Sequence, residues 1–313
     1  MNYSELCDKV TASIIEAIET DGTGKWSAPW HRIGTGWAPR NAKTEKFYGG
    51  TNVIALASEA MEPTQPNTDE YLSPWWATYK QWSDLGGQVR KGERSTSIVK
   101  WVPKAKKTGS TEEPPPPTTP DGIPMSRLHG PQLIPRVYGV FNVAQVDGWT
   151  PPVPAVLAEY SPIEAAETWI VASGADIRFG FDHACYSPAA DRIEVPGIGQ
   201  YDDPLDHYST VCHELTHWTS HPTRLNRQLG KRFGDDAYAA EELVAELGAA
   251  FTTARLDITN TPRADHAAYL GHWLRILKAD SKALFAAASQ AQKAVDYIAN
   301  LQVESSDQVE VSA

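Results

Sequence analysis

The chain has 313 residues, a formal net charge of −11 and a composition that is 41% hydrophobic and 21% charged. This length allows two domains of ordinary size, and the composition is that of a globular protein. The negative charge excludes a protein that is basic over its whole surface, although it leaves room for a local basic groove.

The charge is unevenly distributed between the two halves of the chain. Residues 1–150 have a net charge of 0, whereas residues 151–313 carry the whole −11. Within the first half, residues 25–107 contain 13 basic and 7 acidic side chains. This asymmetry predicts two domains, over 1–150 and 155–301, with different partners.

Cysteine usage and hydropathy predict a soluble, cytoplasmic protein. Cys7, Cys185 and Cys212 are widely spaced and include no Cys-x-x-Cys pair, so neither a disulfide framework nor a thiolate zinc knuckle is expected. The N-terminus lacks a signal-peptide pattern, and no apolar run approaches the roughly 20 residues that cross a bilayer. We therefore expect no membrane partner.

The first half is predicted to mix helices and strands. A helix over residues 4–19 is indicated by apolar side chains at every fourth position, namely Leu6, Val10, Ile14 and Ile18. The other elements predicted here are helices over 53–61 and 74–82 and a pair of strands over 97–102 and 136–143. Between the strands, residues 103–135 are proline-rich and predict an exposed, mobile insertion, and residues 148–154 predict an interdomain linker.

Aromatic and basic side chains alternate through much of this first half. Flat aromatic rings can stack on unpaired bases, at about 1–3 kcal/mol per base, while Lys and Arg follow the phosphates. Stacking accepts any base, so such a site would be largely indifferent to sequence. The alternative is that the tryptophans are simply core residues, as most are.

The second half begins with a predicted helix and a group of short strands. The helix covers residues 162–173, and the strands cover 177–181, 184–187 and 192–196. Because the last strand ends in Pro196, we predict that it lies at the edge of its sheet. In zinc peptidases, an edge strand before the metal helix can bind an extended peptide.

The sequence His213-Glu214-Leu215-Thr216-His217 is a His-Glu-x-x-His motif. Two imidazoles four residues apart lie on one face of a helix, where both can bind one metal ion. Glu214 is then the candidate general base of a metallopeptidase. The helix is predicted to begin at Asp206 or Ser209 and to bury a stripe of Val211, Leu215 and Trp218.

A third metal ligand is predicted on a helix over residues 238–251. Glutamate-ligand zinc peptidases commonly use Glu-x-x-x-Asp, in which the first carboxylate binds the metal and the second orients a ligand histidine. Glu242-Leu-Val-Ala-Glu246 resembles this pattern and assigns Glu242 as ligand and Glu246 as the orienting residue. Since Glu is longer than Asp, Glu246 is an alternative ligand, followed by Glu241.

The predicted cofactor is one Zn²⁺ per chain, with another divalent transition metal as the alternative. His221, Tyr208 and Tyr238 are the candidate transition-state donors. Residues 265–301 are predicted to be helical throughout, and the acidic segment from 302 to 313 to be a disordered tail.

Several motifs, in the same order along the chain, resemble those of one family. Those of the first half are Trp26-x-x-Pro29-Trp30, Arg40-Asn41, Tyr48-x-Gly50-x-Asn52, Trp76-x-Thr78-Tyr79-Lys80-Gln81 and Gly86-Gly87-x-Val89-Arg90-Lys91-Gly92-Glu93. Those of the second half are His213-Glu-Leu-Thr-His217-Trp218-Thr219, Arg224-Leu225 and Tyr238-Ala-x-Glu-Glu-Leu-Val-Ala-Glu246. They are similar to the motifs of ArdC-type antirestriction proteins.

This resemblance implies an α+β fold with an N-terminal domain that binds single-stranded DNA and a C-terminal zincin-like metallopeptidase domain. It also implies a function on conjugative plasmids or similar mobile elements, protecting incoming DNA from host restriction. The predicted DNA contacts are Trp26, Trp30, Arg40, Asn41, Tyr48, Asn52, Trp76, Tyr79, Lys80, Arg90 and Lys91.

Three hypotheses follow for the metal domain. The first is hydrolysis of a peptide bond in a protein of host restriction or conjugation. The second is a structural or partner-binding domain in a protein that shields DNA by coating it. A nuclease is less favoured, because Mg²⁺-dependent cleavage uses hard oxygen ligands and this site offers two imidazoles.

Overall fold

The computed structural model describes residues 1–21, 28, 30, 38–60, 73–104, 133–152, 161–227, 236–258 and 266–310. Most of the predicted insertion over 103–135 and part of the predicted linker over 148–154 lie outside these residues. None of the described helices is long and apolar enough to cross a membrane.

The first half is built around a four-stranded sheet. Its helices are α1 (Tyr3–Asp21), α2 (Thr51–Ala60) and α3 (Tyr79–Asp84). Its strands are β1 (Arg40–Asn41), β2 (Trp75–Ala77), β3 (Gln88–Val89), β4 (Thr96–Pro103), β5 (Leu133–Asn142) and β6 (Val146–Asp147). The sheet has the order β1-β2-β5-β4, and β3 pairs separately with β6. The predicted pairing of the two long strands is confirmed, since β4 and β5 are antiparallel along their whole length.

The prediction of one helix over residues 74–82 is wrong, because a strand comes first. In β2 the side chains of Trp75 and Trp76 enter two different core clusters and are both buried, as expected for neighbours on opposite faces of a strand. Helix α3 begins only after Thr78. The Thr78 side chain accepts a hydrogen bond from the backbone N–H of Gln81, and the Gln81 side-chain oxygen accepts one from the backbone N–H of Thr78.

The second half is mainly helical, with one small sheet. Its helices are α4 (Pro162–Ser173), α5 (Pro204–Trp218), α6 (Asp236–Arg255), α7 (His266–Ala279) and α8 (Ala283–Glu310). Its strands are β7 (Asp176–Phe179), β8 (Cys185–Ser187) and β9 (Arg192–Val195).

The strand predicted to lie at the sheet edge, Arg192–Val195, is central. It pairs in parallel with β7 on one side and antiparallel with β8 on the other. Pro196 therefore ends a central strand, and the edge strand that precedes α5 is β8. Helix α5 also begins earlier than predicted, at Pro204, because the Asp203 side chain accepts from the N–H of Leu205 and caps the helix.

The last segment is two helices rather than the single one predicted over 265–301. The chain turns between α7 and α8, where Asp280 Oδ1 accepts a hydrogen bond from the N–H of Lys282 at 2.9 Å. Helix α8 then continues to Glu310, past residue 302, where a disordered tail is predicted. Extending an existing helix is easier than starting one, because each added residue gains a hydrogen bond.

One hydrophobic core joins the two halves of the chain. The buried stripe of α1 belongs to the same cluster as Leu215 of α5, Leu247 of α6 and Phe285 of α8. Thr11 Oγ1 also donates a hydrogen bond to the carbonyl of Ser281 at 2.7 Å, at the turn between α7 and α8. The two predicted sequence domains therefore share their core.

Helices α5 and α6 approach closely at Gly248. A Cβ atom placed on Gly248 would lie 3.0 Å from Thr216 Cβ and nearer still to the rest of that side chain. Thr216 cannot easily move aside, because its Oγ1 donates to the carbonyl of Cys212 at 2.9 Å. The contact holds the helix of the His-Glu-x-x-His motif against the helix of the predicted third ligand.

Gly248→Ala is expected to lower the free energy of unfolding by about 1–3 kcal/mol, because the added methyl overpacks this contact. Gly271→Ala is the matched control. Gly271 lies in α7 with nothing within 4 Å of an added Cβ, so the change should stabilise by about 0.5–1 kcal/mol. Urea unfolding of both variants measures the difference, and equal effects would contradict the packing described.

Candidate metal centre and nucleic-acid interface

The motif histidines direct their Nε2 atoms at one carboxylate. His213 Nε2 lies 3.4 Å from Glu242 Oε2, and His217 Nε2 lies 3.5 Å from Glu242 Oε1. The two imidazole rings are one helical turn apart on α5, with centroids separated by 4.9 Å. Glu242 reaches them from α6, so the predicted third ligand is the carboxylate that faces both histidines.

These three side chains fit a metal ion. Ligand atoms about 2.0–2.1 Å from a tetrahedral ion lie about 3.4 Å from one another, which matches the two distances between the histidines and Glu242. Two imidazole nitrogens and a carboxylate oxygen are ligands that zinc and other divalent transition metals accept. All three residues are buried or nearly so. Burying the Glu242 carboxylate would be costly without a cation beside it.

A second carboxylate orients His217, and it is Glu241. Glu241 Oε1 lies 3.3 Å from His217 Nδ1, the ring nitrogen opposite the one that faces Glu242. Arg227 holds Glu241 in place through hydrogen bonds of 2.8 and 3.1 Å, and it also donates to Thr219 Oγ1 at 2.7 Å. The sequence pattern assigns an orienting role to Glu246, which is buried on the same helix, and for Glu246 that role stays a prediction.

The same contacts set the charge state of the site. Burial alone would lower the pKa of His217, but the hydrogen bonds with Glu241 and Glu242 outweigh it and raise the pKa to about 10. Burial would raise the pKa of Glu242, but its two histidine partners hold that pKa well below its ordinary value. The two carboxylates thus favour a positive charge at this position. A metal ion can supply this positive charge in place of the proton on His217, so the metal ion and the proton compete for the site.

Of the three candidate transition-state donors, the structure places Tyr238 against the site. Its pKa is raised by burial, and also by the Glu242 carboxylate, with which its hydroxyl interacts. Tyr208 instead donates to Glu167 at 2.7 Å, and His221 Nδ1 lies 2.8 Å from Thr223 Oγ1 on the surface. Neither of those two contacts involves the metal-site residues.

Two of the predicted DNA contacts are core residues. Trp30 is 1% exposed and Trp76 is 0% exposed, and both lie in the large hydrophobic cluster. Stacking on a base needs an accessible ring face, so the prediction for these two tryptophans is wrong. Trp26 lies outside the described residues.

Of four further predicted contacts, three are hydrogen-bonded within the protein and one, Arg40, lies over an aromatic ring. Asn52 makes two hydrogen bonds to the backbone of Val99, at 2.7 and 2.9 Å, and so joins α2 to β4. Asn41 donates to the hydroxyl of Tyr48 at 2.9 Å. The Arg40 guanidinium lies 4.5 Å from the centre of the Phe47 ring. These contacts give the four residues a structural role.

The remaining four predicted contacts are exposed. Tyr79, Arg90 and Lys91 line a groove with a volume of about 660 Å³, and Lys80 is exposed beside Tyr79. The charge of Arg90 is offset by Glu93 at 3.1 Å and Asp147 at 3.4 Å, which lie in the same groove.

Of a second groove, of about 580 Å³, that lies between β4 and α8, the sequence predicted one lining residue as a DNA contact, namely Asn52. It is lined by Trp101, which is 47% exposed, by Tyr3, whose ring packs against Trp101, and by Lys282 and Lys293. No acidic residue is among its described lining. The signal that could have found it is the adjacent basic and aromatic pair Lys100-Trp101 near the end of a predicted strand.

Comparison with protein families identifies both halves of the chain. Residues 4–127 match the N-terminal domain of anti-restriction factor ArdC, and residues 164–290 match a zincin-like metallopeptidase. The fold and the site thus define a two-domain protein of mixed helix and sheet with a zincin-like second domain, as predicted.

Solved structures and curated relatives extend this to the whole chain. The Mn(II)-bound crystal structure of the antirestriction protein ArdC from plasmid R388 is 32% identical, with a TM-score of 0.69, over 95% of this chain and 97% of that one. The uncharacterized protein y4eC of Sinorhizobium fredii is 36% identical over 94% of this chain and 92% of its own. A DNA primase TraC of Escherichia coli is 36% identical over 93% of this chain but only 27% of its own. The chain belongs to the ArdC family of antirestriction proteins.

Glu241→Gln is expected to weaken transition-metal binding by about 10–100-fold, because the amide orients His217 less strongly than the carboxylate does. Competition with a chromophoric chelator measures the affinity, and circular dichroism verifies the fold. Glu167→Gln, which changes a carboxylate on α4 that binds Tyr208, is the control and should leave metal affinity unchanged. Wild-type affinity in Glu241→Gln would exclude the orienting role.

Proposed function

We propose that this protein protects DNA from restriction by binding single strands without strong sequence preference and by hydrolysing peptide bonds at a metal centre. Its membership of the ArdC family, with relatives on plasmid R388 and in TraC, supports the antirestriction part. The observation that carries the peptidase part is the convergence of His213, His217 and Glu242 within 4.8 Å of one another. A protein of host restriction or conjugation is the expected substrate.

In this mechanism His213, His217 and Glu242 would hold the metal, and Glu214 moves the proton. A Zn²⁺ ion, or another divalent transition metal, would supply a Lewis acid and lower the pKa of water toward about 7. Glu214 follows the first ligand on α5, takes the proton of the attacking water and passes it to the leaving amine. Tyr238 lies beside Glu242 and is placed to donate to the developing oxyanion.

Glu214→Gln is expected to keep metal and DNA binding but to lose at least about 10²–10⁴-fold in peptidase rate, because an amide cannot accept the proton. A fluorogenic peptide library is the substrate, and metal analysis is done on the same sample. His213→Ala is the comparison variant and should lose the ion as well as the activity. Cleavage at the wild-type rate by Glu214→Gln would contradict the mechanism.

One observation favours the second candidate function, a DNA-coating shield with a structural metal domain. Glu214 is only 2% exposed, so in this conformation its side chain offers little surface to an incoming peptide. Restriction of incoming DNA in cells that carry Glu214→Gln separates the two functions. Full protection by this variant supports the shield, whereas loss of protection supports the peptidase.

We propose that DNA binds at two grooves, one within the first half and one between β4 of the first half and α8 of the second. The groove at Tyr79, Lys80, Arg90 and Lys91 offers an exposed ring, but its charge is partly cancelled by acidic neighbours. The groove at Trp101 has two lysines and an exposed indole without such neighbours in its described lining. Phosphate binding depends on net positive charge, so the Trp101 groove should contribute more of the affinity.

Trp101→Ala is expected to weaken binding of a mixed-sequence single strand by roughly 5- to 150-fold, which corresponds to one lost stacking contact of about 1–3 kcal/mol. Phe179→Ala, which removes an exposed ring from β7 in the second half, is the control and should have no effect. Fluorescence anisotropy at several salt concentrations measures affinity and its salt dependence. A larger loss in Tyr79→Ala than in Trp101→Ala would move the main contact to the other groove.

A further inference from the structure

A second group of metal-binding side chains lies on the small sheet of the second half. One ligand atom from each of His183, Cys185 and Glu194 lies within 4.8 Å of the other two. Cys185 and Glu194 are paired directly across β8 and β9, and His183 Nε2 lies 3.5 Å from Glu194 Oε2. This separation again suits two ligands of one tetrahedral ion.

We propose that His183, Cys185 and Glu194 form a second binding site for a transition-metal ion, at the edge strand β8. A thiolate, an imidazole and a carboxylate form a donor set that favours zinc or a similar transition metal over Mg²⁺ or Ca²⁺. Three protein ligands leave the fourth position of a tetrahedral ion to water or to a substrate group.

The surroundings of the group orient it for this role. Asp182 Oδ1 lies 2.7 Å from His183 Nδ1, so the other ring nitrogen of His183 is turned toward Glu194. Carboxylates orient metal-bound histidines in the same way. Arg192 occupies Oε1 of Glu194 and leaves Oε2 facing His183. Glu194 can therefore bind an ion with one oxygen while Arg192 holds the other.

A metal ion at this site binds Cys185 as the thiolate. On binding, the thiol proton is released to the buffer and the sulfur electron pair binds the metal.

Cobalt(II) titration of the full-length protein tests the proposal, because a cobalt–thiolate bond gives a charge-transfer absorption that the His213, His217 and Glu242 ligands cannot produce. The wild-type protein should bind two ions per chain and develop this absorption. Cys185→Ser should bind one ion without the absorption, and His183→Ala should also lose one ion. His213→Ala should keep one ion together with the absorption.

The other two cysteines provide matched controls. Cys7→Ser changes a buried thiol on α1, and Cys212→Ala changes the buried thiol beside His213, so both should retain two ions and the thiolate absorption. The proposal is overturned if the wild-type protein shows no thiolate absorption, or if the absorption survives in Cys185→Ser. Neither result would count against metal binding at His213, His217 and Glu242, because the ion bound there is measured separately in His183→Ala.

Discussion

The close approach of α5 and α6 is the constraint on which the metal centre depends. The two candidate ligand histidines come from one helix and Glu242 from the other, so the separation of the helices sets the distance between their side-chain atoms. Gly248 allows this separation, because any larger side chain would meet Thr216. Arg227 reinforces it, since it binds Glu241 of α6 and also the carbonyl of Thr216 in α5 at 2.6 Å. Geometry of this kind must hold to about half an ångström for a metal or a catalytic group.

The electrostatics of the centre follow from the same packing. Burying Glu241 and Glu242 together places two negative charges where water cannot solvate them. Arg227 neutralises one of them, and a proton or a metal ion at the histidines neutralises the other. The carboxylates that would destabilise the two packed helices on their own thus become the source of metal affinity. Metal binding is therefore expected to raise the free energy of unfolding, and folding is expected to raise the affinity for the metal.

The parts that the sequence predicted correctly are those that local spacing determines. The positions of His213 and His217 follow from the period of a helix, and the pairing of β4 with β5 follows from two β-rich segments around a loop. Glu242 was identified because it occupies the expected place in a known pattern. The role of Glu241 was missed, because it depends on how α6 is rotated against α5.

Two of the incorrect predictions, the edge position of one strand and the exposure of two tryptophans, have their cause in tertiary structure. Pro196 indicates the end of a strand but cannot show that β7 pairs on its far side. The buried Trp30 and Trp76 and the exposed Trp101 have the same side chain, so composition cannot tell which of them could meet a base. In both cases the deciding contact lies outside the segment concerned, where neither periodicity nor propensity reports it.

The bond between Thr11 and Ser281 joins residues that are 270 positions apart, and it has a consequence for the order of folding. During synthesis α1 leaves the ribosome before α7 and α8 have been made, although the turn between those two helices contacts it. The apolar stripe of α1 therefore cannot reach its final packing until α7 and α8 are present. Contacts of such long range form slowly, because the intervening loop must first close. Until then α1 should stay exposed to chaperones and proteases.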